Sequence, residues 1–128
     1  MRDPNDPCLF CNIKESGLAY ENTLTYASYD TYPVSKLHCL IIPKRHVKDY
    51  FELTNDEVIA CNELIKKIKK EILLKDALVR GFNIGINIGK TAGQSVLHCH
   101  IHLIPRRKGD TENPRGGVRG VIKDKQSY

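Results

Sequence analysis

Histidine occupies every second position of a short segment, His98-Cys99-His100-Ile101-His102, that continues as Leu103-Ile104-Pro105-Arg106-Arg107. Side chains at i, i+2 and i+4 of a β-strand lie on one face. The alternation therefore predicts a strand over residues 96–104 that carries three imidazoles in a row, with the residues between them facing a core. Because this segment holds three of the chain's five histidines, we interpret it as a functional site rather than as unrelated surface or core histidines.

The remaining patterns predict several short strands and one long helix. Residues 18–32 are rich in aromatic residues and predict two strands in a hairpin-like arrangement. The apolar run 37–43 predicts a central strand that Pro43 ends. Thr54 and Glu57 fit a capping box, and apolar residues then recur every three or four positions as far as Leu73, which predicts a helix. Residues 82–88 alternate as a further strand does.

Composition bounds the class of protein. A chain of 128 residues can bury a core as one domain, and it has no apolar run of the roughly 18 to 20 residues that a membrane span needs. No apolar signal core is evident near the N-terminus, so we expect a cytoplasmic protein. The net charge of +5 indicates an anionic partner such as a nucleotide. Nucleic acid is a weaker candidate, because basic residues are not interleaved with stacking aromatics. The helix lysines are interpreted as a solvated face.

The five cysteines are an odd number, and no disulfide framework is expected. Cys39 and Cys61 lie within apolar patterns that are typical of small buried thiols. The pair Cys8-Leu9-Phe10-Cys11 can bind metal, act as a redox dithiol or lie in a turn. We favour metal, in which case two histidines would complete a closed, structural Cys₂His₂ zinc site.

The loop of residues 89–95 consists mostly of small residues and lies directly before the histidines. It is not the usual phosphate-binding P-loop pattern. Its glycines, with Gln94 and Ser95, can offer donors to an anion, but a plain hairpin turn fits the loop equally well. The loop alone leaves both interpretations open.

Taken together, these residues resemble the signature of the histidine triad (HIT) superfamily of nucleotide hydrolases and transferases. The resemblance covers residues 8–107 and includes the histidine segment, Asp30, the segment that ends Ile42-Pro43-Lys44-Arg45-His46, Asn87, the segment 92–96 and Pro105-Arg106. It implies an α+β fold in which an antiparallel sheet packs against one long helix, and a homodimer that extends the sheet. We therefore expect a single domain over residues 1–107, with a zinc-binding N-terminal segment 1–17 and a C-terminal tail, 108–128, without regular structure.

The resemblance also implies the chemistry. His100 would attack the α-phosphorus of a purine nucleoside phosphoramidate or dinucleoside polyphosphate and form a nucleotidyl-histidine intermediate. His102 would contact the phosphate and assist proton transfer to the leaving group, and His38 would support this histidine network. The other implied contacts are Gln94 and Ser95 to phosphate oxygens, Asp30 to the ribose hydroxyls and Asn87 in the nucleotide pocket. No metal is required for this chemistry.

Relatives that carry the N-terminal cysteine pair are similar to this chain, and the resemblance implies that zinc is held by Cys8, Cys11, His46 and His98. Two positions depart from the family pattern: Leu37 stands where glycine is common, and Cys99 where aliphatic or aromatic residues are common. The alternative function is a zinc-stabilised nucleotide-binding or scaffold protein with little catalysis. It would bind nucleotide tightly without releasing product or forming a covalent adduct.

Overall fold

The structure is a computed structural model that describes residues 8–13 and 17–128. A five-stranded antiparallel sheet has the order β1-β2-β3-β5-β4. Its strands are β1 (Tyr20–Glu21), β2 (Thr25–Tyr29), β3 (Cys39–Pro43), β4 (Val79–Gly85) and β5 (Ile101–Arg107). One long helix, α1 (Asn55–Lys75), connects β3 to β4 by way of a short 3₁₀ helix (Tyr50–Glu52). The α+β fold expected from the sequence is confirmed.

Helix α1 begins where the sequence indicates. Thr54 is its N-cap: the Thr54 hydroxyl accepts a hydrogen bond from the Glu57 backbone N–H at 3.1 Å, and the Glu57 carboxylate accepts one from the Thr54 N–H at 2.9 Å. This is the predicted capping box, which satisfies two N–H groups that the first turn leaves unpaired.

The lysines of the outer face, Lys66, Lys67, Lys69 and Lys70, are exposed as predicted. Across the described residues, no helix has both the length and the apolarity required to span a bilayer.

The sheet carries apolar residues on both faces. Strand β3 is buried along its whole length, and its residues alternate between the two sides. Cys39 and Ile41 pack with α1 in one cluster, which also contains Cys61, Leu64, Ile68, Ile72, Val79, Ile101 and Leu103. Leu40 and Ile42 pack on the other face with Phe10 and Tyr26. Only one face is covered by the long helix, so the opposite face can hold a site.

The histidine segment differs from the prediction in one respect. Strand β5 begins at Ile101, so of the three alternating histidines only His102 lies in a strand. Strand β4 ends at Gly85, opposite His102, and the pairing of β3 with β5 goes no further than Ile41 and Ile101, although β3 itself continues to Pro43. The segment before β5 is tied elsewhere, since the Cys99 N–H donates to the Val47 carbonyl at 2.8 Å.

The C-terminal tail also differs from the prediction, because it contains regular structure. A 3₁₀ helix spans Gly117–Val121. Gly116 precedes it with φ 76°, a left-handed conformation that favours glycine. The Gln126 amide closes the turn by donating to the Asn113 carbonyl at 2.8 Å and the Arg115 carbonyl at 3.1 Å. These local bonds could not be read from a glycine-rich, basic composition.

Candidate active site and metal centre

A pocket of about 720 Å³ opens on the face of the sheet opposite α1. The N-terminal segment, strand β2 with the turn after it, strand β3 and the loop before β5 all contribute to its lining. Five residues that the sequence assigned to the site lie in this lining: Asp30, Asn87, Ser95, His100 and His102. The structure therefore brings together residues that are up to 72 positions apart in the chain, counting from Asp30 to His102.

His100 is held in one orientation by the backbone of its own segment. Its Nδ1 atom lies 2.9 Å from the His98 carbonyl oxygen. A carbonyl can only accept, so Nδ1 carries the proton of the neutral imidazole and Nε2 keeps its lone pair. His100 is 9% exposed and borders the pocket. This arrangement presents an unprotonated nitrogen, which is the form that acts as a nucleophile.

His38 and His102 form a second, connected pair. The Val34 backbone N–H donates to His38 Nδ1 at 3.1 Å, so the proton of neutral His38 lies on Nε2. That Nε2 is 2.9 Å from His102 Nδ1 and 3.5 Å from the Asp30 carboxylate. His38 thus donates to His102 Nδ1, which places the proton of neutral His102 on Nε2. The pocket therefore contains one histidine with a free lone pair and another that offers an N–H.

The same three side chains, Asp30, His38 and His102, have ligand atoms within 4.8 Å of one another and could be taken for a metal site. The hydrogen bond from Val34 argues against it. A metal on His38 Nε2 would move the ring proton to Nδ1, where it would face the Val34 N–H. A proton-sharing network is the arrangement that leaves all these donors and acceptors paired.

Burial and charge both act on the pKa values of this pair. Burial lowers the pKa of His38, and the Asp30 carboxylate partly opposes that shift. Burial also lowers the pKa of His102, and the neighbouring His100 and His38 lower it further. Both rings therefore stay neutral at pH values where an ordinary histidine begins to gain a proton.

The backbone before His38 is in an uncommon conformation. Leu37 has φ 73°, in the left-handed region that favours glycine and is costly for a branched side chain. The turn is secured by Ser35, whose hydroxyl donates to the Pro105 carbonyl at 2.8 Å, and by the Asp30 N–H, which donates to the His38 carbonyl at 2.9 Å. These two hydrogen bonds hold Leu37 in a conformation that glycine adopts more readily, and they orient His38 toward His102.

Gln94 does not line the pocket. Its side chain is 6% exposed and is bonded to the backbone on every side: its oxygen accepts from Gly89 N–H at 2.9 Å, and its nitrogen donates to the Lys48 and Val96 carbonyls at 2.7 and 3.1 Å. Gln94 therefore shapes the loop before β5 in this structure, and the expected contact of its amide with a phosphate stays a prediction.

Asn87 and Ser95, which the sequence assigned to the nucleotide, both contribute to the pocket lining. Asn87 donates to the Ala92 carbonyl at 2.7 Å, and this bond closes the loop. Ser95 is exposed within the pocket lining. Gly89 and Gly93 have φ 86° and 88°, so glycine is required at both ends of the short 3₁₀ turn Lys90–Ala92.

A separate cluster, outside the pocket lining, contains the four residues that the sequence assigned to zinc: Cys8, Cys11, His46 and His98. Cys11 Sγ is 3.0 Å from His46 Nδ1, and His98 Nδ1 is 3.4 Å from Cys8 Sγ and 3.5 Å from Cys11 Sγ. The other nitrogen of His98, Nε2, is 2.8 Å from the Pro43 carbonyl. That bond puts the His98 proton on Nε2 and turns the Nδ1 lone pair toward the cysteines.

The donor set fits a tetrahedral zinc ion. With Zn–S about 2.3 Å and Zn–N about 2.0–2.1 Å, tetrahedral ligand atoms lie about 3.5 Å apart. Three sulfur to nitrogen separations, of 3.0 to 3.5 Å, are close to this value, and all four ligand atoms lie within 4.8 Å of one another. Two thiols and two imidazoles are also the ligand types that zinc prefers in closed structural sites.

The other cysteines are buried thiols, as predicted. Cys39, Cys61 and Cys99 are each at most 2% exposed. Burial raises the pKa of Cys39 and Cys99 to about 12 and that of Cys61 to about 11, so these thiols stay protonated. Cys99 lies away from the pocket lining and does not disturb the histidines.

Sequence reasoning missed the apolar part of the pocket. Leu9, Phe10 and Ile13 of the N-terminal segment and Leu40 and Val96 contribute to the lining. Leu40 could have been found from the alternation of β3, since it pairs with His102 across the sheet. Phe10 carried no signal of its own beyond its place between two cysteines, and its contact with the histidines depends on how the N-terminal segment folds back.

Comparison with known proteins agrees with this geometry. The profile of the HIT domain family matches residues 13–109. An uncharacterized HIT-like protein of Methanocaldococcus jannaschii is 39% identical over 123 residues, which cover 91% of this chain and 93% of that protein. The adenosine 5'-monophosphoramidase of Candida albicans is 32% identical over 107 residues, covering 78% of this chain and 70% of that enzyme. A Zn-bound histidine triad family protein from Mycobacterium smegmatis superposes with a TM-score of 0.75 at 32% identity, covering 84% of this chain and 80% of that one.

Proposed function

Because this chain belongs to the HIT domain family, we propose that it is a nucleotidyl hydrolase or transferase that forms a covalent intermediate on His100. The substrates proposed are purine nucleoside phosphoramidates or dinucleoside polyphosphates, cleaved at the α-phosphate. The observation that carries the proposal is the hydrogen bond between His100 Nδ1 and the His98 carbonyl, which leaves His100 Nε2 unprotonated at the pocket. The adenosine 5'-monophosphoramidase activity named for the relative from Candida albicans supports the substrate class.

In the first step, His100 Nε2 attacks the α-phosphorus. The bond from nitrogen to phosphorus forms as the bond from phosphorus to the leaving atom breaks, and the bonding electron pair departs with the leaving group. His100 keeps its Nδ1 proton and gains positive charge, which the His98 carbonyl stabilises through the 2.9 Å hydrogen bond. His102 Nε2–H donates to the departing atom or to a phosphoryl oxygen and reduces the charge that develops there.

In the second step, water attacks the phosphorus and the bond to His100 Nε2 breaks. The electron pair of that bond returns to His100, and the nucleoside monophosphate leaves. One proton of the water returns to His102 Nε2 where that atom gave its proton to the leaving group, and otherwise ends on the products; the His38 N–H holds the His102 ring in place across their 2.9 Å contact. His38 and His102 then have the tautomers that the Val34 N–H imposes, and His100 has the one that the His98 carbonyl imposes. With a different acceptor in place of water, the same sequence of steps is a transfer.

Three residues of the pocket are proposed to hold the nucleotide. Asp30 is positioned by its contact with His38 and by the Tyr32 N–H, which donates to its other oxygen at 2.9 Å, and its carboxylate can accept from ribose hydroxyls. Asn87 and Ser95 border the same space and offer polar groups to the sugar and phosphate. The apolar lining from the N-terminal segment suits a flat base.

The cluster of Cys8, Cys11, His46 and His98 is proposed to hold structural zinc. When bound, the ion would join the N-terminal segment to the sheet, and all four protein ligands would close the site to substrate. No step of the reaction needs it. The Zn-bound relative from Mycobacterium smegmatis supports the identity of the metal.

A homodimer in which the sheet continues into a second copy is proposed as the assembly. The structure supports it through its edges: β4 is a seven-residue edge strand, whereas β1 at the other edge has only two residues. A long unpaired edge is the element through which sheets extend between chains. Light scattering coupled to size-exclusion chromatography should give twice the chain mass, and a monomer mass at micromolar concentration would contradict the dimer.

Steady-state hydrolysis of a panel of substrates tests the proposed function. The panel contains adenosine and cytidine phosphoramidates, a dinucleoside tetraphosphate and a nucleotide sugar, each with wild type and His100→Asn. We expect turnover of at least one adenine nucleotide by wild type and its loss in His100→Asn. Equal turnover by the two proteins would overturn the role of His100. Tight nucleotide binding by wild type without turnover would favour the alternative, a nucleotide-binding protein with little catalysis.

A further inference from the structure

Phe10 lies between the two cysteines of the N-terminal pair and connects the metal-ligand cluster to the pocket. Its side chain is 7% exposed although it belongs to an irregular segment. The Tyr26 hydroxyl donates to the Phe10 carbonyl at 2.6 Å. Tyr26 is fully buried on β2, so this bond fixes the Phe10 backbone to the sheet. The position of the ring is therefore determined from both sides, by Cys8 and Cys11 along the chain and by Tyr26 across it.

The ring of Phe10 contacts two of the three alternating histidines. Its centroid is 6.1 Å from that of His98 with the planes at 89°, and 5.0 Å from that of His100 with the planes at 62°. Both are edge contacts of the kind that aromatic rings prefer. One ring thus packs against a proposed metal ligand and against the proposed nucleophile, while its own segment carries two further metal ligands.

We propose that Phe10 is a positioning residue that couples the Cys8, Cys11, His46 and His98 cluster to the orientation of the His100 imidazole; the inference rests on the proposed nucleophilic role of His100. Two links make the coupling. The Phe10 ring limits rotation of the His100 ring, and the His98 backbone carbonyl accepts from His100 Nδ1. If one of these two links is lost, the His100 ring can rotate so that Nε2 no longer faces the pocket.

The coupling has a physical consequence for the metal. A closed zinc site is usually expected to affect stability alone. Here, displacement of Cys8 and Cys11 would move Phe10, and displacement of His98 would move the carbonyl that fixes the His100 tautomer. Metal occupancy should therefore change the orientation and the tautomer of the His100 ring, which lies outside the metal site. Small errors in the position of a reacting atom lower rates strongly.

Nuclear magnetic resonance of the imidazole nitrogens of His100, measured without substrate, tests the coupling directly. The variants are Phe10→Ala, which removes the ring, and Phe10→Leu, which keeps an apolar side chain in its place. Ile72→Val is the matched control, because it trims the core on the α1 side, far from the pocket. In wild type, loaded with zinc, we expect one tautomer with the proton on Nδ1.

In Phe10→Ala, we expect the chemical shifts of the His100 nitrogens to move toward the average of the two tautomers. We also expect kcat on the best substrate to fall about tenfold or more. Phe10→Leu should recover part of both effects, and Ile72→Val should show neither, although its melting temperature falls. Chelation of zinc from wild type should shift the His100 nitrogens in the same direction as Phe10→Ala. If the His100 nitrogens of zinc-loaded Phe10→Ala have the same chemical shifts as those of wild type, the inference is overturned. Because the spectra are recorded without substrate, their result does not depend on whether the proposed function is correct. That function is tested separately, by comparing substrate hydrolysis in wild type and His100→Asn.

Discussion

His38 Nε2 and His102 Nδ1 lie 2.9 Å apart, and the direction of the hydrogen bond between them is fixed by the backbone. The Val34 N–H occupies His38 Nδ1, so His38 must donate and His102 must accept. The proton of neutral His102 therefore lies on the nitrogen that remains, Nε2. A single backbone N–H thus determines which of the pocket's histidines can donate to a bound phosphate.

Replacement of His38 tests this contact. We expect His38→Leu to lower kcat by up to about tenfold, because the lost hydrogen bond to His102 is worth about 1.4 kcal/mol or less and no longer fixes which His102 nitrogen carries the proton. His38→Gln keeps an N–H donor near the same position and should retain more activity than His38→Leu. Steady-state kinetics of both variants provide the measurement. Equal kcat values for the two would show that the donor at this position has no role.

The neutral state of the pair can be measured by titration of the ring protons of His38 and His102. Burial lowers both pKa values, so both rings should gain their proton only below pH of about 6.5, the ordinary value. The Asp30 carboxylate opposes this shift, and Asp30→Asn should therefore lower both pKa values further. A pKa of His38 or His102 above the ordinary value in wild type would contradict the burial argument.

Glu57 should make the stability of the fold depend on pH. Its carboxylate accepts from the Arg45 guanidinium at 2.7 and 3.1 Å and from the Thr54 N–H, and the Arg45 hydrogen bond is the largest cause of its lowered pKa. A carboxyl whose pKa is lower in the folded state stabilises that state above its unfolded pKa of about 4.3 and loses the effect as pH falls. Glu57→Gln should therefore lower the melting temperature at pH 7.

The difference in melting temperature between wild type and Glu57→Gln should close as the pH falls below about 4, where the wild-type carboxylate gains its proton. Glu63→Gln is the matched control, because Glu63 is an exposed glutamate of the same helix. A difference that stays constant from pH 7 to pH 3 would exclude the ionic contribution. Arg45 directly precedes His46, so this contact also anchors the segment that carries a proposed metal ligand.

Metal content tests the proposed zinc ligands. Protein purified without chelator should contain about one zinc per chain, as a closed four-ligand site requires. The double variant Cys8→Ser, Cys11→Ser should lose the zinc and melt at a lower temperature, because the free energy of metal binding contributes to folding. Cys61→Ser is the control for loss of a cysteine elsewhere. Full zinc content in the double variant would exclude the two ligands.

Sequence patterns predicted the elements that depend on local chemistry. The helix start at Thr54 follows from the capping box, and the end of β3 at Pro43 follows from a residue that cannot donate to a sheet. The proposed metal ligands come from distant parts of the chain, and only the family resemblance indicated that His46 and His98 would meet the two cysteines. The structure brings these four side chains together.

Features that depend on tertiary pairing could not be predicted. The start of β5 at Ile101 depends on where β4 ends and on the hydrogen bond of the Cys99 N–H to the Val47 carbonyl, and the histidine alternation encodes neither. Gln94 turns into the loop because backbone groups of Gly89 and Lys48 converge on it. The contact of Phe10 with His100 exists because the N-terminal segment folds back over β2, and no periodic pattern reports such a fold-back.

The central claim, a covalent nucleotidyl intermediate on His100 Nε2, can be tested by rapid chemical quench during turnover. The substrate carries an isotopic label in its nucleoside, and the reaction is quenched in alkali, where a bond from phosphorus to histidine nitrogen survives. Peptide mass spectrometry then locates the label. We predict a nucleoside monophosphate adduct on the peptide that contains His100 in wild type, and no adduct in His100→Asn. Turnover by wild type with no labelled peptide at any time, or an adduct that persists in His100→Asn, would contradict the account.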